Sequence, residues 1–272
     1  MKFKGKVVVV TGASSGIGEE ACRDFAKKGA DVALIARSKS KMEAIADKIK
    51  KNYHTRTLVV PCDVSKKGQV LSMSKEVFDE FEHVDIVVNN AGLAIFGSVR
   101  DLSMEELEEQ ITTNLLGAIY CTKAFLPSML NRKQGHIVNV ASVAGSIGIP
   151  GLASYCASKF GMLGFSQSLY HELKGTGVHV TVVSPITVKT NFFNHPSFKK
   201  IRPNYSPVGL SASHVSKAIL RAANSKRLEI IVPFYVRGAV WFTQTLPYLI
   251  NPIVGAAFRR HMKKIEKASL QV

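Results

Sequence analysis

Seven short runs rich in β-branched residues, spaced by longer helical patterns, restrict this chain more than any other feature. They are KVVVVTG (6–12), DVALIAR (31–37), TLVVPCD (57–63), VDIVVNNAG (84–92), GHIVNVAS (135–142), VHVTVVSP (178–185) and LEIIVP (228–233). Nearly continuous apolar runs suit strands covered on both faces in a parallel sheet. The stretches 16–28, 39–51, 66–81, 103–130, 152–175 and 211–224 read as helices. Ser103 stands three residues before Glu106, the spacing of a capping box, and Gly29 and Gly177 fall near helix ends. This alternation predicts an α/β chain, a doubly wound sheet with helices on both faces. No internal repeat, low-complexity tract or Pro/Ser-rich linker divides it, so residues 1–235 read as a single domain.

Composition narrows the function classes. With 46% apolar and 21% charged residues, the 272-residue chain has ample core. Cys22, Cys62, Cys121 and Cys156 form no C-x-x-C pair and read as free buried thiols in a reducing compartment. The histidines form no H-E-x-x-H or zinc-finger spacing, so no metal site is expected. The apolar run near the amino terminus ends in a glycine-rich turn and reads as a first strand rather than a signal peptide. A cytoplasmic protein is expected. The net charge of +16 invites an anionic partner. Its lysines are scattered, with no aromatic-interleaved basic patch, so nucleic acid is not expected.

TGASSGIG (11–18) follows the first strand and opens the first helix. Gly12, Gly16 and Gly18 allow a tight turn and close approach of a pyrophosphate, whose charge a helix amino terminus favours. The spacing is T-G-x-x-x-G-x-G, unlike the common G-x-G-x-x-G fingerprint. The second strand ends IARS, with no Asp or Glu between residues 32 and 42. An acid there would bind the ribose of NAD, whereas Arg37 suits the 2′-phosphate of NADP.

Further motifs follow in order: CDV (62–64), NNAG (89–92), Asn114, Ser142, YCASK (155–159) and PITVKT (185–190). Together with TGASSGIG they closely resemble the short-chain dehydrogenase/reductase family over residues 5 to 233. That resemblance implies a Rossmann-type sheet of seven parallel strands and an NADP(H)-dependent oxidoreductase acting on alcohol and carbonyl groups. It assigns the cofactor to Gly12, Ser14, Ser15, Gly16, Ile17, Gly18, Arg37 and Ser38. Asp63 and Val64 would take the adenine, and Asn90, Ala91 and Gly92 the ribose. Tyr155, Lys159, Pro185, Val188 and Thr190 would meet the nicotinamide half.

By the same resemblance Asn114, Ser142, Tyr155 and Lys159 form the catalytic set. Reducing a carbonyl leaves an alkoxide that must be protonated, and Tyr155 is the expected donor. A free phenol titrates near ~10, and an ammonium one helical turn away on the same face is expected to lower that. Ser142 would donate to the substrate oxygen, and Asn114 would hold a relay water behind Lys159. The family commonly has Pro-Gly after the sixth strand; here Ile186 follows Pro185, adding a side chain near the nicotinamide. Family habit also implies a homo-oligomer paired through the helices around 103–130 and 152–175.

Two segments break the rhythm. Residues 186–210 carry no clear strand and read as a mobile substrate loop. The tail, 236–272, holds 21 uncharged residues from Gly238 to Phe258, preceded by Arg237 and followed by Arg259, Arg260, Lys263, Lys264 and Lys267. Its length matches a bilayer span, but Pro247, Asn251 and Pro252 interrupt it. An anchor on an anionic membrane surface, a packed or pocket-covering segment, and a true span remain open. An apolar tail near the pocket suggests a lipid-like carbonyl substrate of 3-oxoacyl, ketosphingoid or ketosteroid type. Alternatives are a small semialdehyde or hydroxy acid, a non-catalytic nucleotide-binding regulator, and a basic scaffold without turnover.

Overall fold

The computed structural model describes residues 2–199, 209–253, 255, 256 and 260. In chain order the elements are β1 (Val7–Thr11), α1 (Gly16–Lys27), β2 (Asp31–Ala36), α2 (Lys39–Tyr53), β3 (Thr57–Pro61), α3 (Lys67–Phe81) and β4 (Ile86–Asn89). Then come α4 (Met104–Ile111), a π-helical turn (Thr112–Leu116), α5 (Gly117–Asn131), β5 (Gly135–Val140), α6 (Ala153–Glu172) and β6 (Val178–Pro185). The chain continues through β7 (Val188–Lys189), α7 (Pro196–Lys199), β8 (Leu210–Ser211), α8 (Ala212–Ala222), β9 (Glu229–Val232) and α9 (Val236–Thr245).

Seven strands form one parallel sheet in the order β3-β2-β1-β4-β5-β6-β9. Alternate side chains on β1 explain the uninterrupted valines. Val8 and Val10 pack with Phe25, Met42, Ile49 and Ile219 beneath α1, α2 and α8. Val7 and Val9 pack with Met73, Phe125, Ile137 and Leu169 on the opposite face, under α3, α5 and α6. Each fully buried valine contributes roughly 1.5–3 kcal/mol, so neither face tolerates a polar residue cheaply. The doubly wound α/β architecture is the one the sequence pattern predicts.

The amino end of the sheet is closed by a polar knot around buried Asp85. Its carboxylate accepts from the Val7 N–H (2.9 Å), Lys6 (3.1 Å), Arg132 (3.1 Å) and Gln134 (3.0 Å). Burial alone would push its carboxyl up, but the Val7 N–H, Arg132 and Lys6 outweigh that and hold it below the usual range. Deeper in, Asn89 on β4 donates to Asn139 on β5 (2.8 Å) and to Thr122 on α5 (3.1 Å). These bonds leave the carboxyl ends of the strands as the open rim.

Two sequence expectations need adjustment. The predicted helix 103–130 begins on the expected capping box, with Ser103 and Glu106 bonding reciprocally at 3.2 and 2.9 Å. It then widens into the π turn, which a 3.6-residue periodicity does not reveal. The predicted loop 186–210 contains β7 and β8, which pair in parallel through Val188–Leu210 and Lys189–Ser211, along with α7. Residues 200–208 of that loop lie outside the described residues, as does most of the basic end of the tail. All four cysteines are free and buried.

Candidate active site

The glycine-rich turn is built as a cradle. Gly12 (φ +67°) and Gly16 (φ +59°) sit in the left-handed region that favours glycine. A Cβ on Gly18 would lie 2.2 Å from the Gly12 carbonyl oxygen, so no larger residue fits beneath the turn. The turn is held from β4. Thr11 Oγ1 accepts the N–H groups of Asn90 and Ala91, each at 3.0 Å, and the Asn90 amide donates to the Thr11 carbonyl at 2.9 Å. Asn90 therefore shapes the turn with its own side chain. Ser15, at the start of α1, makes no capping bond, in contrast to the capped starts of α4 and α8. The first N–H groups of α1 thus face the turn without a side-chain acceptor, the arrangement that favours a phosphate.

The remaining candidate cofactor residues follow the carboxyl ends of the strands. Thr190 reaches the glycine-rich turn from beyond β6: a Cβ on Gly16 would lie 3.1 Å from its methyl group. Thr190 also accepts the Phe192 N–H, and Val188 is buried in β7. Ser14 and Ile17 are half-buried within the turn. Arg37 is exposed at the end of β2, with half-buried Ser38 beside it, and among the described residues no carboxylate pairs with it. Asp63 accepts from the N–H and hydroxyl of Ser65 (3.0 and 2.8 Å), and Val64 packs against Gly117. A ligand with phosphates at the turn and a 2′-phosphate at Arg37 fits these residues.

Across the rim lies the proposed chemistry. Asn114 is fully buried in the π turn, and its side-chain amide exchanges two 2.8 Å bonds with the backbone of Leu93. Its nitrogen also donates to Ser158 Oγ (3.0 Å), which donates in turn to the Tyr155 carbonyl (2.6 Å). The π turn therefore couples the loop after β4 to α6 through one asparagine. A Cβ on the intervening Gly92 would stand 3.0 Å from Asn114 Oδ1 and 3.7 Å from Lys159 Nζ.

Lys159 is buried, its ammonium donating to the Val140 carbonyl at 2.9 Å and lying 5.8 Å from the Tyr155 ring centroid. Burial lowers it from 10.5 to about 8. Tyr155 moves the other way, raised from 10 to about 12, because burial outweighs the hydrogen bond to Ser142. This corrects the expectation that Lys159 lowers the phenol: in this geometry the ammonium is turned toward Val140, and burial governs both groups. Ser142 caps a short 3-10 turn, accepting from Ala144 N–H (3.1 Å) and donating to the Pro185 carbonyl (3.4 Å). Ser142, Tyr155 and Lys159 thus lie together, and Asn114 reaches the Tyr155 backbone through Ser158. Ile186, the residue in place of the usual glycine, bonds through its N–H to Val232 (3.0 Å) and is half-buried.

The aromatic series beside Tyr155 was not legible in the sequence. Phe192 meets the Tyr155 ring edge-on at 5.8 Å, and the aromatic series continues through Phe193 (5.3 Å), Phe198 (5.2 Å) and Phe96 (5.8 Å). Phe96 abuts Gly151, where a Cβ would lie 2.4 Å from its ring, and its N–H bonds to Ser197. Two phenylalanines in "NFFN" were the available signal, but without contacts they looked like ordinary loop residues. Thr11, Gln110 and Ser158 were also missed. Gln110 is fully buried and accepts the Ile95 N–H at 3.0 Å, fixing the same loop that Asn114 holds.

Known proteins share the sequence pattern and the fold. The family model described as short chain dehydrogenase matches residues 6–200. Human 17-beta-hydroxysteroid dehydrogenase 13 is 34% identical over 254 residues, covering 92% of this chain and 82% of that protein. An alcohol dehydrogenase from Thermococcus sibiricus, solved with 5-hydroxy-NADP, is 31% identical and superimposes with a TM-score of 0.74 over 83% of this chain and 95% of that one. A short chain dehydrogenase/reductase from Burkholderia phymatum, solved with NAD, is 25% identical with a TM-score of 0.83, covering 92% and 96%. With its glycine cradle, its Ser142–Tyr155–Lys159 group and these matches, the chain belongs to the short-chain dehydrogenase family of oxidoreductases.

Proposed function

We propose that this chain is an NADP(H)-dependent carbonyl reductase and alcohol dehydrogenase whose substrate is apolar and lipid-like, of 3-oxoacyl, ketosphingoid or ketosteroid type. The observation that carries the substrate class is the aromatic series Phe192–Phe193–Phe198–Phe96, which begins at the Tyr155 ring. A wall of this kind favours a long apolar body over a small charged acid. The hydroxysteroid named in the human relative is of the same chemical class.

The bound cofactor supplies the hydride or accepts it. Gly12, Ser14, Ser15, Gly16, Ile17 and Gly18 with Thr190 would hold its phosphates, and Arg37 and Ser38 its 2′-phosphate. Asp63, Val64, Asn90, Ala91, Gly92, Pro185 and Val188 line the rest. Ser142 and Tyr155 hold the substrate oxygen, and Tyr155 gives it a proton from the phenol. Burial raises the phenol to about 12 in the cofactor-free site, so the proton is present at neutral pH but is held more tightly than transfer at working pH favours. Lys159, lowered to about 8, exchanges protons near working pH and can recharge the phenol through the Asn114 side of the site. The chain acts as a homo-oligomer through the helices at 103–130 (α4 and α5) and 152–175 (α6).

The test is NADPH oxidation over ketones and aldehydes graded by chain length, repeated with NADH. Catalytic efficiency should rise with apolar length and favour NADPH. Equal or better efficiency with NADH, or a preference for short charged carbonyls, overturns the corresponding half of the proposal.

A further inference from the structure

The carboxy-terminal segment has two apolar faces, and the protein covers one of them. Val240 is buried, and Val236, Thr243, Pro247 and Ile250 are half-buried, a spacing of three and four residues that turns one face inward. The other side leaves Phe234, Tyr235, Trp241, Tyr248, Leu249 and Ile253 in solvent, Tyr248 at 92% and Phe234 at 84%. Single exposed apolar residues are ordinary, but a contiguous run of this size marks a docking surface. The adjoining cleft, along the open edge of β9, is lined by Arg221, Arg227, Arg237, Glu229 and Phe234. Among the described residues none of the three arginines pairs with a carboxylate, and the Glu229 carboxylate accepts from Ser184 instead (2.6 Å).

Charge selects the occupant. A second copy would bring the same unpaired arginines and the same +16 to the contact, whereas an anionic surface complements both. Arg259, Arg260, Lys263, Lys264 and Lys267 extend the basic character in sequence. Among the described residues no helix is long and apolar enough to cross a membrane. We propose that residues 234–253 lie on the surface of an anionic lipid bilayer, arginines at the headgroups and aromatic rings in the interfacial layer. The docked face starts at the rim of the candidate site, because Val232 at the end of β9 accepts the Ile186 N–H and pairs in register with Pro185. An apolar substrate would enter from the bilayer side. The docking itself does not depend on the reaction.

Trp241 is the sole tryptophan of the chain and is 63% exposed, so its emission reports this face directly. The full-length protein is mixed with phosphatidylglycerol vesicles and, separately, with phosphatidylcholine vesicles. Phosphatidylglycerol should shift the Trp241 emission to the blue and carry the protein into the pellet, with partitioning at least roughly tenfold stronger than for phosphatidylcholine and weakened by added salt. The exposed pair Phe242→Ser with Leu249→Ser, checked for an unchanged circular dichroism spectrum, should lower partitioning by about a hundredfold, roughly tenfold per lost side chain. Unchanged emission and protein left in the supernatant with both lipids overturn the proposal. So does a lipid-free oligomer, seen by light scattering, that the double variant dissociates, since that assigns the face to a second copy.

Discussion

Replacing Lys159 with methionine should make the ligand-free protein more stable at neutral pH while removing its activity. The folded chain holds this amine near 8 against an ordinary value of 10.5, and burial is the cause. That depression corresponds to about 3 kcal/mol of cost for keeping the ammonium buried. Methionine has a similar length and no charge, and it forfeits the 2.9 Å bond to Val140, a net loss of about 1 kcal/mol. Lys159→Met should therefore stabilise the fold by about 2 kcal/mol at pH 7. Between the two pKa values the unfolded wild-type chain binds more protons than the folded one, so wild-type stability rises with pH through that window. The variant has no such group, and its advantage should vanish by pH 10. Urea unfolding of both proteins at pH 7 and pH 10, without cofactor, reads this directly. A variant less stable than wild type at pH 7, or a difference independent of pH, would refute the reasoning.

Two other substitutions test separate parts of the structure. Gly18→Ala places a methyl group 2.2 Å from the Gly12 carbonyl oxygen, so it should cost about 1–3 kcal/mol and weaken NADPH binding; an unchanged melting temperature and unchanged affinity would contradict the cradle. Asp85→Asn removes the charge that faces Lys6 and Arg132 and replaces one of the two acceptor oxygens with an NH2 donor, and should cost about 2 kcal/mol at pH 7 given its partly exposed partners. The Asp85 carboxyl is lowered in the fold, so its contribution is present above the ordinary carboxylate pKa and lost as pH falls through the lowered one. The gap between wild type and variant should close in acid; a gap that persists there would place the effect in packing rather than charge.

The sheet was legible because its information is local. Valine runs covered on both faces, glycines at turns and the Ser103–Glu106 box each announce themselves within a few residues. Within the candidate site the glycines were legible from the turn they imply, as with Gly18 beneath Gly12. What escaped depends on contacts between distant segments. The π turn at Asn114 is stabilised by bonds to Leu93 and Ser158, and no periodicity encodes it. Asn90 was expected only to line the ribose, yet with Thr11 it forms a clamp across β1 and β4. The direction of the Tyr155 shift escaped for a different reason. Helical spacing places Lys159 on the same face but does not say where its ammonium points, and Val140 decides that.

The central claim is that Tyr155 is the proton donor of an NADPH-dependent carbonyl reduction, and the variant Tyr155→Phe tests it most directly. Phenylalanine keeps the ring against Phe192 and loses only the hydroxyl. NADPH binding, followed by cofactor fluorescence, should be retained while turnover of the best apolar ketone falls by about 10³-fold or more. A variant that binds NADPH and still turns over within tenfold of wild type would contradict the account.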